Sequence, residues 1–175
     1  MDSLIEYKIP FRGISEGEHE YDFHIQEKFF DAMESDEVQD ADVKVHLQLD
    51  KQSRLMVLDF AIHGNLVLTC DRCLEDMNYP LDIDYRLIAK YGRKDPRDEE
   101  NEDVFYLADD EFQLDVSRLI YENIVLAIPI KHVHADDEQG HSTCNPEQLK
   151  ILENYSKKQK TDPRWDALKN IKFED

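Results

Sequence analysis

Val43-Lys44-Val45-His46-Leu47-Gln48-Leu49 alternates apolar and polar residues without a break, and its reading decides the fold. A two-residue period puts successive side chains on opposite faces, so the stretch is a strand with one dry face and one wet face. Asp50-Lys51-Gln52-Ser53 forms a turn, and Leu55-Met56-Val57-Leu58-Asp59-Phe60-Ala61-Ile62 returns as a second strand. Gly64-Asn65 carries a tight-turn signal, after which Leu66-Val67-Leu68-Thr69 delivers the chain to Cys70. Tyr79 to Ile88 alternates once more. The span from Val38 to Tyr91 is therefore predicted to be a meander of antiparallel strands.

Toward the N-terminus, Ile5 to Phe11 and Tyr21 to Ile25 alternate in the same way, and Phe29, Phe30 and Met33 mark a short helix. Toward the C-terminus, residues 94–103 are acidic and almost devoid of apolar side chains, the pattern of a solvated, flexible loop. Val104–Leu107 and Glu111–Leu114 are short extended pieces. Asp115 is placed to cap a helix over 115–128, with Leu119, Ile120, Ile124, Leu126 and Ala127 as its apolar face and Pro129 as its stop. Asn145-Pro146 and Asp162-Pro163 each set a capping side chain before a proline, so residues 145–175 are expected to be a helical tail. Trp165 and Leu168 would bury one side of its last helix. The expected fold is α+β in a single domain over 1–175. A mainly antiparallel sheet, able to curl into an open barrel, carries one packed helix near 115–128 and short C-terminal helices.

With 175 residues, 41% of them hydrophobic, the chain can bury a real core. Its net charge of −19 works against a stand-alone nucleic-acid binder, because long-range repulsion from phosphates replaces the usual basic footprint. The one basic cluster is Lys150, Lys157, Lys158, Lys160 and Arg164, a place where RNA could be touched. Met1-Asp2-Ser3-Leu4-Ile5-Glu6 has no basic-then-apolar leader, and no apolar run approaches the roughly twenty residues of a membrane span. The expectation is a cytoplasmic protein without membrane contact, in which three cysteines are not a disulfide framework.

Those three cysteines carry the chemistry. Cys70 and Cys73 lie two residues apart on a connection between strands, and Cys144 follows a cluster of histidines, His132, His134 and His141. Three readings stand. Three thiolates and one imidazole can close a structural zinc site, with Cys70, Cys73, His134 and Cys144 as ligands and His141 or His132 as alternatives to His134. A Cys-x-x-Cys pair can also exchange disulfides, though that chemistry usually opens a helix after a strand, and here strands flank both sides. Buried thiols can equally be small hydrophobes. No phosphate-binding glycine loop and no nucleophile elbow are present. His19, His24, His46 and His63 lie in or beside strands and read as surface or satisfied histidines.

Three segments, taken together, resemble a known family: Cys70-Asp71-Arg72-Cys73-Leu74-Glu75; Glu122 to Ile130 with its Ile124-Val125-Leu126-Ala127-Ile128-Pro129 core, followed by His134 and Cys144; and Asp162 to Leu168. The family is the YceD-type large ribosomal RNA subunit accumulation proteins, and the resemblance covers most of the chain. It implies a non-enzymatic role in 23S rRNA accumulation or processing during ribosome biogenesis. It also implies a Cys70, Cys73, His134, Cys144 site. Partners would be the large-subunit ribosomal precursor and its ribosomal proteins or assembly factors, with rRNA contact through the basic tail. Two other activities are carried beside it: a thiol-disulfide oxidoreductase using Cys70 and Cys73, and an rRNA-processing nuclease.

Overall fold

The computed structural model describes residues 4–92 and 103–157. The acidic 94–103 segment apart from Asp103, the helix expected from Asp162 to Leu168, and Lys158, Lys160 and Arg164 of the basic cluster lie outside the described residues. After a 3-10 turn at Ile5–Tyr7 come β1 (Lys8–Ile9), β2 (Gly17–Gln26), α1 (Glu27–Ala32), β3 (Val38–Lys51), β4 (Leu55–Thr69), β5 (Asp76–Tyr91), β6 (Val104–Leu107) and β7 (Leu114–Asp115). Two further helices follow, α2 (Ser117–Ala127) and α3 (Pro146–Lys157).

The α+β expectation holds. One five-stranded sheet runs in the order β2-β3-β4-β5-β6, and β1 pairs with β7 in a separate two-stranded ribbon. The large sheet is antiparallel from β2 to β5, while β6 adds parallel to β5. The sheet stays open and does not close into a barrel.

The alternating pattern does what its period predicts. Val43, Val45, Leu47 and Leu49 of β3 and Leu58, Phe60 and Ile62 of β4 point inward and are buried, while Lys44, His46 and Gln48 face water. Onto the dry face pack Tyr7, Ile9 and Phe11 from the N-terminal segment, Phe29 and Phe30 of α1, and Ile120 and Ile124 of α2, all in one core. Each fully buried aliphatic side chain contributes roughly 1.5–3 kcal/mol, so this layer is what holds α2 on the sheet.

Two local expectations are corrected. Gly64-Asn65 is no turn: β4 runs straight through it, Gly64 paired with Val43 and Asn65 with Asp42. Gly64 is there because β3 passes so close: an added Cβ would lie 2.6 Å from Val43 Cα and nearer still to the Asp42 carbonyl oxygen. Asp115 ends β7 rather than capping the helix; Val116 occupies the cap position without a side-chain bond. The Asp115 carboxylate still accepts the Ser117 backbone N–H at 3.0 Å, satisfying one free amide of the first turn. Asn145 does cap α3, its side-chain oxygen accepting from the Glu147 N–H at 2.8 Å.

Candidate metal centre

β4 carries its inward parity from Leu66 and Leu68 to Cys70, which is fully buried. The chain then turns sharply. Cys70 N–H donates to Glu75 O at 2.9 Å and Leu74 N–H to Cys70 O at 2.9 Å. The turn needs a left-handed residue, and Leu74 takes that conformation at φ 60° although it is not glycine. Both thiols of this knuckle are thereby directed to the same inner side, and Cys73 is buried as well.

The other half of the site arrives from beyond α2. Asp71 and His132 clamp the two segments reciprocally: Asp71 N–H donates to His132 O at 3.0 Å, and His132 N–H donates to the Asp71 carboxylate at 2.8 Å. The residues between His134 and Cys144 fold back on themselves through an Asp136–Ser142 bridge, with the Asp137 carboxylate accepting the Gln139 and His141 amides. That fold-back is why a long spacing still returns Cys144 to His134. Arg72 Nη1 donates to Ser142 Oγ at 3.0 Å, and Asn145 Nδ2 to Glu75 Oε1 at 2.5 Å, tying both halves further.

The ligand atoms of Cys70, Cys73, His134 and Cys144 all lie within 4.8 Å of one another. Cys70 Sγ is 3.8 Å from Cys144 Sγ, and His134 Nδ1 is 3.4 Å from Cys73 Sγ and 3.8 Å from Cys144 Sγ. A tetrahedral ion with metal–sulfur bonds of about 2.3 Å and a metal–nitrogen bond of about 2.0 Å requires S–S edges of about 3.8 Å and S–N edges of about 3.5 Å. The Cys70–Cys144 edge and the two edges from His134 to Cys73 and Cys144 lie close to those lengths, and the other three edges are within 4.8 Å. His134 Nε2 donates to the Asp76 carbonyl at 3.3 Å, which leaves the Nδ1 lone pair facing the thiols, the tautomer a metal ligand needs.

The electrostatics divide the thiols. Burial works to raise Cys70, but the amides of Cys73 and Arg72, together with His134, outweigh it and bring Cys70 down to about 6. Burial pushes Cys73 up, whereas the Ser142 hydroxyl lowers Cys144. The Cys70 side chain in turn raises His134.

The other histidines stand apart. His132 turns its ring toward Pro129 O and Asp71, His141 is exposed beside Asp137, and neither joins the cluster. No strand forms over residues 130–134, so His132 and His134 are not set on one strand face. His24, His46 and His63 lie on the wet face of the sheet, each donating to a carboxylate: Asp42 at 2.7 Å, Asp22 at 2.8 Å and Asp82 at 2.6 Å. The clamping roles of Asp71, Arg72, Ser142 and Asn145 escaped sequence reasoning, because nothing local marks a partner 61 or 70 residues away.

Comparison with known proteins gives the site its setting. Among the described residues no helix is long and apolar enough to cross a membrane, and no solved structure matches the chain. A relative in Bacillus subtilis (strain 168), named "Uncharacterized protein YlbN", is 29% identical over 134 residues, covering 76% of this chain and 76% of its own length. The family described as "Large ribosomal RNA subunit accumulation protein YceD" matches residues 58–172, a span that includes the knuckle, His134 and Cys144. The chain belongs to the YceD family.

Proposed function

We propose that this protein is a non-enzymatic factor for large-subunit ribosomal RNA accumulation, acting on 23S rRNA processing or assembly, whose binding surface is held in shape by a structural zinc ion. The observation that carries the metal is the convergence of Cys70, Cys73, His134 and Cys144, whose ligand atoms all lie within 4.8 Å of one another. Four protein ligands leave no open position for water, so such an ion cross-links and does not catalyse. It would fasten the β4–β5 connection to the segment leading into α3. The ribosomal role rests on the family to which the chain belongs.

The oxidoreductase reading is weaker. The Cys70–Cys73 pair sits on a strand-to-strand turn, without the helix N-terminus that activates such pairs, and Cys144 and His134 crowd the same point. For the nuclease reading, the converging metal-ligand group found among the described residues contains no carboxylate. With net charge −19, the factor engages the ribosomal precursor through ribosomal proteins or assembly factors at least as much as through RNA.

The test pairs two measurements on one strain. Purified full-length protein should carry zinc at close to one ion per chain, and the protein should co-sediment with large-subunit precursors and leave them when Cys70 and Cys73 are changed to Ser. Metal well below one per chain would remove the zinc. Absence from precursors, with unchanged 23S precursor levels in a deletion strain, would remove the ribosomal role.

A further inference from the structure

β2 is the outer strand of the large sheet, and its ten residues pair with β3 in unbroken register from Gly17–Lys51 to Gln26–Asp42. In an antiparallel ladder alternate residues turn their N–H and C=O groups to the far side. Among the described residues no strand takes up that side of β2. Proteins ordinarily guard such an edge with lysine, proline or a bulge, yet Gly17-Glu18-His19-Glu20-Tyr21-Asp22-Phe23-His24-Ile25-Gln26 has no lysine and no proline, and its register has no bulge.

The side chains give the edge a sign. Glu18, Glu20 and Asp22 line the wet face and are exposed, while Tyr21 and Phe23 on the opposite face are half-buried, Phe23 stacked on Tyr7 at 5.2 Å. A second copy of the same strand would bring a like-charged acidic row against this one, which is destabilising. An added strand alternating Lys or Arg with apolar residues would complement both faces at once.

We propose that the β2 edge is a docking strand for an extended, alternating cationic–apolar segment of a partner protein, recruited by strand addition. The inference stands on the sheet edge alone and is independent of the metal and of the ribosomal role.

The experiment uses the full chain and a synthetic acetylated peptide of alternating Lys and Val, about eight residues long, the length of an ordinary strand. A composition-matched isomer with its lysines and valines in separate blocks serves as control. Two further versions carry N-methyl groups at every second residue, in one register or the other. Expected is binding of the alternating peptide with slowed amide exchange in β2, loss in one N-methyl register only, and weakening of about tenfold or more by Glu18→Lys with Glu20→Lys. Equal binding of the block isomer, or of both N-methyl registers, would reduce the effect to bulk charge and overturn strand addition. No binding, or protection elsewhere than β2, would overturn it too, as would a dimer formed through β2.

Discussion

Cys70 Sγ lies 3.8 Å from Cys144 Sγ although 74 residues separate them in the chain. No covalent bond joins them, so the approach is held by the Asp71–His132 clamp and by burial. Three close thiols, one of them tending to ionise near neutrality, are a poor arrangement without a cation among them. Chelation should therefore lower the unfolding free energy of the wild type, and its midpoint with it, by about 4 kcal/mol of stability where free zinc had stood about a thousandfold above its dissociation constant. Cys144→Ser should abolish that sensitivity and speed amide exchange in α3. A denaturation curve indifferent to chelator in the wild type would count against the clasp.

The knuckle stores a strain of its own. Leu74 adopts φ 60° with its side chain 73% exposed, so it gains little from packing and bears the cost of a left-handed backbone. Leu74→Gly should raise stability by about 1 kcal/mol with zinc content unchanged, whereas Leu74→Ala, strained in the same way, should not. Urea denaturation of the three proteins checks this. A loss of stability in the glycine variant would mean that the Leu74 side chain has a packing role.

The inward parity of β4 was legible in the sequence, and more so than the turn signal laid over it. Leu58, Phe60, Ile62, Leu66 and Leu68 keep one period of two across Gly64, which a turn would have reset. A Gly-Asn dipeptide is locally the same whether the chain reverses or another strand presses against it, and only the β3 backbone decides. The candidate site divides similarly. Cys70 and Cys73 announce themselves by spacing, and Cys144 by being the remaining thiol. The choice of His134 over His132 and His141 depends on the fold-back at Asp137 and on the Asp76 carbonyl, which are contacts across the fold.

The Gly64 reading has a consequence for stability. A methyl group there collides with backbone atoms of Asp42 and Val43, which cannot swing aside as a side chain would. Gly64→Ala should cost about 2 kcal/mol, the strands parting locally to admit it. Asn65→Ala, exposed one residue on, should change stability by under about 0.5 kcal/mol. Comparable urea midpoints for the two variants would mean that β3 and β4 are not in this register.

Alkaline pH tests the core from the other side. Burial, with the Glu122 charge adding and Asn123 opposing, raises the Tyr85 phenol above its ordinary value of 10.0. Burial and then Glu6 raise Tyr7 likewise. In the unfolded chain both phenols ionise near 10, while in the folded protein they stay neutral. The unfolded state therefore gains from every rise in pH beyond 10. The stability these groups contribute is full below 10 and drains away as pH climbs toward their folded values. Tyr85→Phe keeps the ring stacked on Phe60, its centroid 4.5 Å away and the two planes nearly parallel, and removes the ionisation. Between pH 8 and 11 the urea midpoint should fall less in Tyr85→Phe and in Tyr7→Phe than in the wild type. Least of all should it fall in the double variant. Equal falls in all four proteins would mean that these hydroxyls reach water in the folded state.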